Sequence, residues 1–303
     1  MAWFEALFKR SASTRGFAVV SPMTGGAGAL RLQGDANKPR VESFTWHASS
    51  AAQTADSLHS LALEVGARQS PLLALLATEQ YQTVMVEAPN VPDEELNGAI
   101  RWKVKELINF HIDDAVLDYL PVPGGAGRSP SLYVVAAQAP ALRALAKPYH
   151  DAGLNLEVID VRETAQHHIA QKLVPEDYAI ALLHLDGDQG LLTFTFGDDL
   201  VLSRRIEGRG ASGDFLFEKV AMETQRSVDY FERQHSWFPL AKLYLAPMPE
   251  AQALRAKLAE FLPVGVEVID LNTLFDFSAT PELLDAHNQN VAFHLLGTAL
   301  RAA

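Results

Sequence analysis

The chain has no cysteine. That excludes a disulfide framework and any thiolate zinc site, and it suits a reducing cytoplasm. Long apolar runs are missing too. Nothing approaches the roughly 18 to 20 uninterrupted apolar residues that a membrane-crossing helix needs. Positive charge is scarce: 25 Lys and Arg stand against 37 Asp and Glu, for a formal net charge of −12. Nucleic acid is therefore not an expected partner. A secretory signal is absent as well, because in Met1 to Arg10 the basic pair follows the apolar run and Glu5 interrupts it. Trp3, Phe4, Leu7 and Phe8 are expected to pack as a first helical turn on their own fold. The competing reading is an interfacial or partner-binding helix ending in Lys9 and Arg10.

What is present is ordinary globular material. Hydrophobic residues make up 48% and charged residues 20% of 303 positions, enough for two domains with cores. Residues 16–21, 25–31 and 41–47 read as three β-prone runs separated by glycine and proline, followed by a helix over 57–66. Strands are expected at 72–76, 82–87, 116–120, 131–137 and 156–161, with helices around 142–151 and 163–172. Val174 to Asp177 reads as a linker, after which the opening pattern returns. Three runs, 178–185, 191–196 and 200–206, precede a long helix over 215–235 whose inward face carries Val220, Thr224, Ser227, Val228 and Phe231. Strand, helix, strand and a closing helix over 288–300 complete it. Two successive units of antiparallel strands and then alternating helix and strand imply a duplicated α/β fold.

Within the first half lies an unusual stretch, residues 89–123. Pro92 with Asp93, Glu94 and Glu95 makes a sound helix start, since proline and acidic side chains suit a first turn with exposed amides. Leu96, Ile100, Val104, Leu107 and Ile108 then cover one helical face about 120° wide. Trp102 falls outside that arc, so it is expected to meet a second surface, of this chain or of a partner.

These residues also carry a resemblance. Glu95, Leu96, Ala99, Ile100 and Trp102, followed by Leu117, Asp118 and Tyr119, resemble the E-L-x-x-A-I-x-W helix and L-D-Y strand of PilM-type actin-like pilus assembly proteins. Ala152 to Leu154 with Val158 to Val161, the helix Glu223 to Glu232, and Gly297, Ala299, Leu300 and Arg301 resemble later family segments in the same order. Within the group, the degenerate first lobe is most similar to the MshI type, which serves mannose-sensitive haemagglutinin (MSHA) pili.

The resemblance implies an actin-like (ribonuclease H-like) duplicated two-lobe fold with a small α+β subdomain inserted in the first lobe. The implied divisions are 1–77 for the first-lobe core, 78–150 for the inserted partner-binding subdomain, 151–176 for the crossover and 177–303 for the second lobe. It further implies a place on the cytoplasmic side of the inner membrane. There such proteins hold the tail of a PilN-like bitopic protein and meet other pilus platform proteins. Trp102, with Arg101, Lys105 and Tyr119 as neighbours, is the expected contact. Peripheral membrane contact through the N-terminus and a homodimer stay open.

An actin-like ATP site needs two Asp-x-Gly turns whose amides cradle phosphates and whose carboxylates orient metal-bound water. The runs expected to match are Ala18 to Val20 and His184 to Asp186, and neither keeps the pattern. On the adenine side, Ala246, Pro247 and Met248 stand where a glycine pair is needed, and proline removes a donor. Asp186, Gly187, Asp188 and Gly190 could form a displaced phosphate turn, but a plain hairpin turn is preferred. No cofactor is expected, ATP with Mg remaining open only through these degraded motifs, and hydrolysis is not expected.

The remaining constellations are bland. His167 and His168 are adjacent, point about 100° apart on a helix and cannot share a metal, so they read as surface and packing histidines. Gly208 to Gly213, with Arg204, Arg205 and Arg209 nearby, reads as a solvated loop, and Gly25 to Gly28 as a turn. The expected function is a non-catalytic adaptor of an MSHA-like pilus platform. The alternatives are an active actin-like ATPase with displaced loops and the cytoplasmic domain of a type II secretion platform protein. Such a domain continues into a membrane span, and none follows Ala303 in this sequence.

Overall fold

A computed structural model describes residues 17–301 apart from 24, 35–36, 49–53, 126–128 and 176. The N-terminal segment with Trp3, Phe4, Leu7 and Phe8 lies outside the described residues. The chain forms two compact units. One takes residues up to 32, 43–162 and Arg301, and the other takes 33–42 and 163–300. The boundary at Arg162 falls inside the stretch 151–176, whose first half thus joins one unit and second half the other.

The first unit opens with β1 (Ala18–Met23), β2 (Gly26–Gln33) and β3 (Arg40–His47), then α1 (Ala55–Glu64) and β4 (Leu72–Leu75). An inserted segment follows: β5 (Tyr81–Glu87), α2 (Asp93–Val104), β6 (Ala115–Val122) and β7 (Ser131–Gln138). Then α3 (Ala139–Asp151) leads back to β8 (Leu156–Asp160). The main sheet has the order β3-β2-β1-β4-β8, with β1 antiparallel to β2 and parallel to β4. Leu72, Leu73, Ala74 and Leu75 are all buried, as expected of a parallel strand covered on both faces. Tyr149 of α3 is fully buried and donates its hydroxyl to the Val20 carbonyl at 2.6 Å, fixing the helix to the sheet.

The second unit contains α4 (Arg162–Ala170) from Glu163 onward, β9 (Ala179–Asp186), β10 (Gln189–Phe196), β11 (Asp199–Glu207) and α5 (Gly213–Gln234). It ends with β12 (Leu240–Leu245), α6 (Ala251–Phe261), β13 (Gly265–Val268) and α7 (Ala286–Leu300). Its sheet order is β11-β10-β9-β12-β13. The order matches the first sheet: β9 is antiparallel to β10 as β1 is to β2, and two parallel strands follow on the other side of each. All five expected inward residues of α5 are buried, and Phe231 stacks on Phe194 of β10 with ring centroids 4.4 Å apart. Burying each such ring contributes about 1.5–3 kcal/mol.

Helix α4 is locked to this sheet by polar groups as well as packing. Gln166 Nε2 donates to the carbonyls of Leu182 (2.6 Å) and Leu191 (3.1 Å) and to Thr193 Oγ1 (3.0 Å). His167 bonds Thr195 Oγ1 at 3.0 Å and the Asp198 carbonyl at 3.1 Å. The expectation of a surface histidine is corrected for His167: it is buried, and desolvation pulls its pKa down to about 3. The neighbouring ring lies 6.1 Å away, and the described residues hold no metal-binding group of three His, Cys, Asp or Glu.

The inserted segment makes its own antiparallel sheet, β5-β7-β6, with α2 on one face. Ile100, Val104 and Ile108 pack against Val86, Ala115, Leu132, Val134 and Ala136, with Leu96 partly buried beside them. Leu107 departs from the expected apolar face and is 52% exposed. The helix stops at Val104, where Lys105 caps it, so helical spacing no longer governs where Leu107 points.

Candidate functional site

Three places bear on function, and the first is the outer side of α2. Its start follows from Pro92 and the three acidic residues after it, which complement the exposed amides of the first turn. Trp102 is 71% exposed, and the Lys105 ammonium lies 3.3 Å from the centre of its ring. The four expected contact residues do not form one patch. Arg101 turns inward, its guanidinium donating to the Ala115 carbonyl at 3.0 Å and to the Ile112 carbonyl. It thereby ties the end of α2 to the start of β6. Tyr119 packs against the core beneath α2. Lys105 alone of the other three sits against Trp102, and Gly98 lies one turn before it on the helix.

On the opposite face of the same sheet, one residue along from Tyr119, sits Asp118. Burial pushes its carboxyl pKa up to about 6, against the opposing pull of the Tyr119 amide (2.8 Å) and the Arg301 charge. Arg301 is itself buried and lies 3.5 Å from the Asp160 carboxylate.

The second place is a cavity of about 410 Å³ in the first unit. It lies at the ends of β1 and β4 and beside α1 and α3. Met23, Leu58, Leu75, Leu145 and Pro148 give it apolar walls, while Glu79, Gln80 and Arg162 supply polar groups. A hollow with apolar and polar groups in similar measure suits a short peptide or small ligand. No sequence motif signals it, because its lining comes from segments scattered between Pro22 and Arg162.

The third place is the pair of turns where an actin-like site would hold phosphates. Ala18 to Val20 and His184 to Asp186, taken above as their counterparts, lie inside strands β1 and β9. The hairpin turns themselves include Gly25 in one case and Gly187 and Asp188 in the other. Gly187 takes φ +59°, which a two-residue hairpin turn favours. Gly190 is a strand residue opposite Leu185 and Ile206, and a Cβ on it would press on Ile206 Cβ at 3.1 Å. Asp188 clasps the glycine-rich loop: its carbonyl accepts from the Gly208 amide (2.6 Å) and its carboxylate from the Gly210 amide (2.7 Å). The Gly210 amide, with the Gln189 side chain, holds the carboxyl below the usual carboxylate range. Lys219 Nζ donates to the Gly208 carbonyl at 2.8 Å.

The adenine-side strand end is closed by a side chain. Asn290 of α7 donates to the carbonyls of Leu185 (3.0 Å) and Pro247 (3.1 Å), bridging the ends of β9 and β12. His184 is buried beneath it, stacked on Phe293. Asp188 and Asn290 thus tie the glycine-rich loop and the ends of β9 and β12 to residues of the same unit.

No protein-family model matches the chain, and no curated protein matches it in sequence. Solved structures do. A structure of the PilM–PilN type IV pilus biogenesis complex aligns over 97% of this chain and 99% of its own, with TM-score 0.74 and 19% identity. The cytoplasmic domain of EpsL, an inner-membrane component of the type II secretion system of Vibrio cholerae, aligns over 78% and 84%, with TM-score 0.52 and 18% identity. A Bacteroides thetaiotaomicron protein described as having an actin-like ATPase fold and unknown function aligns over 90% and 97%, with TM-score 0.52 and 10% identity. With its two topologically equivalent units and small α+β insertion, this chain has the actin-like fold.

Proposed function

We propose that the chain is a non-catalytic adaptor of a type IV pilus inner-membrane platform, similar to PilM and, more narrowly, to the MshI type of MSHA pili. In this role it binds the cytoplasmic tail of a PilN-like bitopic membrane protein and meets other platform proteins. The observation that carries the reading is the end-to-end likeness to the PilM–PilN complex, 97% of one chain against 99% of the other. The E-L-x-x-A-I-x-W and L-D-Y residues of α2 and β6 support it. The cavity beside α1 and α3 gives a tail somewhere to anchor, and Trp102 and Lys105 offer a second contact.

Its place is the cytoplasmic face of the inner membrane, reached through the partner. Among the described residues, no helix is long and apolar enough to cross a membrane. The non-catalytic part of the reading is supported by the lack of an Asp-x-Gly pattern at Ala18 to Val20 and His184 to Asp186 and by Asn290 at the strand ends.

Calorimetric titration with the N-terminal cytoplasmic peptide of the PilN-like protein tests the adaptor role. Saturable binding is expected, and no binding would overturn it. Titration with Mg–ATP is expected to give no heat; sub-millimolar affinity would instead favour an ATP-binding member of the same fold. The EpsL likeness favours a second reading, a type II secretion platform domain. It covers less of the chain, and secretion genes beside this one would decide in its favour.

A further inference from the structure

Helix α2 contains a glycine that its own fold does not need. Gly98 sits mid-helix, and a Cβ added there would meet nothing within 4 Å. Glycine costs a helix interior about 1 kcal/mol relative to alanine, so packing within the chain gives no reason to retain it. Close approach of another backbone does. One turn on stands Trp102, 71% exposed, with Leu107 at 52% beyond it. Residues Glu95, Gly98 and Trp102 have the i, i+3, i+7 spacing that puts them on one side of a helix.

The charge around this face identifies the visitor. Asp93, Glu94 and Glu95 are exposed at the first turn, while Glu106 at the other end is exposed but paired with Lys105 at 3.8 Å. The Trp102 ring already carries one ammonium, that of Lys105, at 3.3 Å. Lys103 is exposed and Lys105 covers the indole at the far end, so a cationic chain with aliphatic side chains fits at the acidic end: carboxylates for its charges, and the bare backbone at Gly98 and the free edge of the indole for its apolar side chains. Proteins with a membrane span concentrate Lys and Arg immediately on its cytoplasmic side.

We propose, building on the adaptor reading above, that the Glu95–Gly98–Trp102 face of α2 docks the Lys- or Arg-bearing segment of the partner between its tail and its membrane span. The tail and this segment then engage separate surfaces of the first unit, the cavity and α2.

The test uses the full chain and two probes. A short synthetic peptide of alternating Leu and Arg should bind the wild type, and its Leu and Glu counterpart should not. Trp102→Ala and Gly98→Leu should each weaken that binding about tenfold or more. Gly98→Leu should melt no lower than wild type, since the space is open and leucine is the better helix former. Equal binding to wild type and both variants would overturn the proposal, because the peptide would then be responding only to the net charge of −12. The second probe is the cytoplasmic peptide of the PilN-like protein with its basic segment. If it binds wild type and variants alike, the α2 surface is wrong and the adaptor role stands. If it fails to bind while the Leu and Arg peptide keeps its dependence on Gly98 and Trp102, the surface stands and the adaptor role falls.

Discussion

Asp118 lies in a strand whose L-D-Y pattern is plain in the sequence, yet nothing in that pattern sets its charge. Burial raises its pKa from 3.8 to about 6. Between those values the folded state holds the proton more tightly than the unfolded chain. Stability is thus full below about pH 4, falls as pH rises towards 6, and stays reduced above it. The loss is about 2 kcal/mol once partial solvent exposure is allowed for. Asp118→Asn is expected to raise the melting temperature at pH 7.5 and leave it unchanged at pH 4, read by thermal unfolding at the two pH values. A gain of equal size at both would show that shape, rather than charge, is what Asp118 costs. Trp102 was legible at this scale, because an aromatic outside an apolar arc must face something else. Arg101 was not: its guanidinium turned inward because the carbonyls of Ile112 and Ala115 come within reach only once β6 folds back.

Among the elements, helices with long regular apolar faces were legible almost throughout. The inward residues of α5 follow from spacing alone, since a helix of 22 residues leaves little freedom in which side is buried. The end of α2 was not legible, and Leu107 was misplaced for that reason. Helix contacts that depend on small residues were equally hidden. A Cβ on Gly297 of α7 would overlap the Ala165 carbonyl of α4, and His168 Nδ1 also meets the Gly297 carbonyl at 3.2 Å. Gly297→Ala is therefore expected to destabilise by about 3 kcal/mol despite the better helix propensity of alanine. Urea unfolding measures this, and an unchanged or higher midpoint would mean that α7 shifts freely. The contrast with Gly98 is direct: one glycine is required by this chain's own packing, and the other is not.

For the whole molecule, duplication could be read from the recurrence of three β-prone runs and a helix. The two five-stranded sheets bear it out in matching order. What the linear order concealed is the grouping of distant pieces. Residues 33–42 belong with the second unit, where Val41 accepts and donates bonds to Thr280 and Asp276. Arg301, at the far end, belongs with the first, 3.5 Å from Asp160. Arg301→Ala removes a buried positive partner of Asp160 and should destabilise by about 3 kcal/mol. The first unit would be the part affected, so hydrogen exchange should quicken in β4 and β8 and stay unchanged in β9 and β12. Uniform loss of protection in both units would contradict that division.

By itself the sequence determined the composition class, the alternation of strands and helices, the repeat, and a tryptophan set outside the apolar face of an acidic-capped helix. All of these rest on local spacing and side-chain chemistry, which act over a few residues. Tertiary structure alone decided where the phosphate-type turns fall, which amides Asp188 holds, where the cavity opens, and that Gly98 faces open space. Each depends on atoms brought together from far along the chain, and no local rule carries that information.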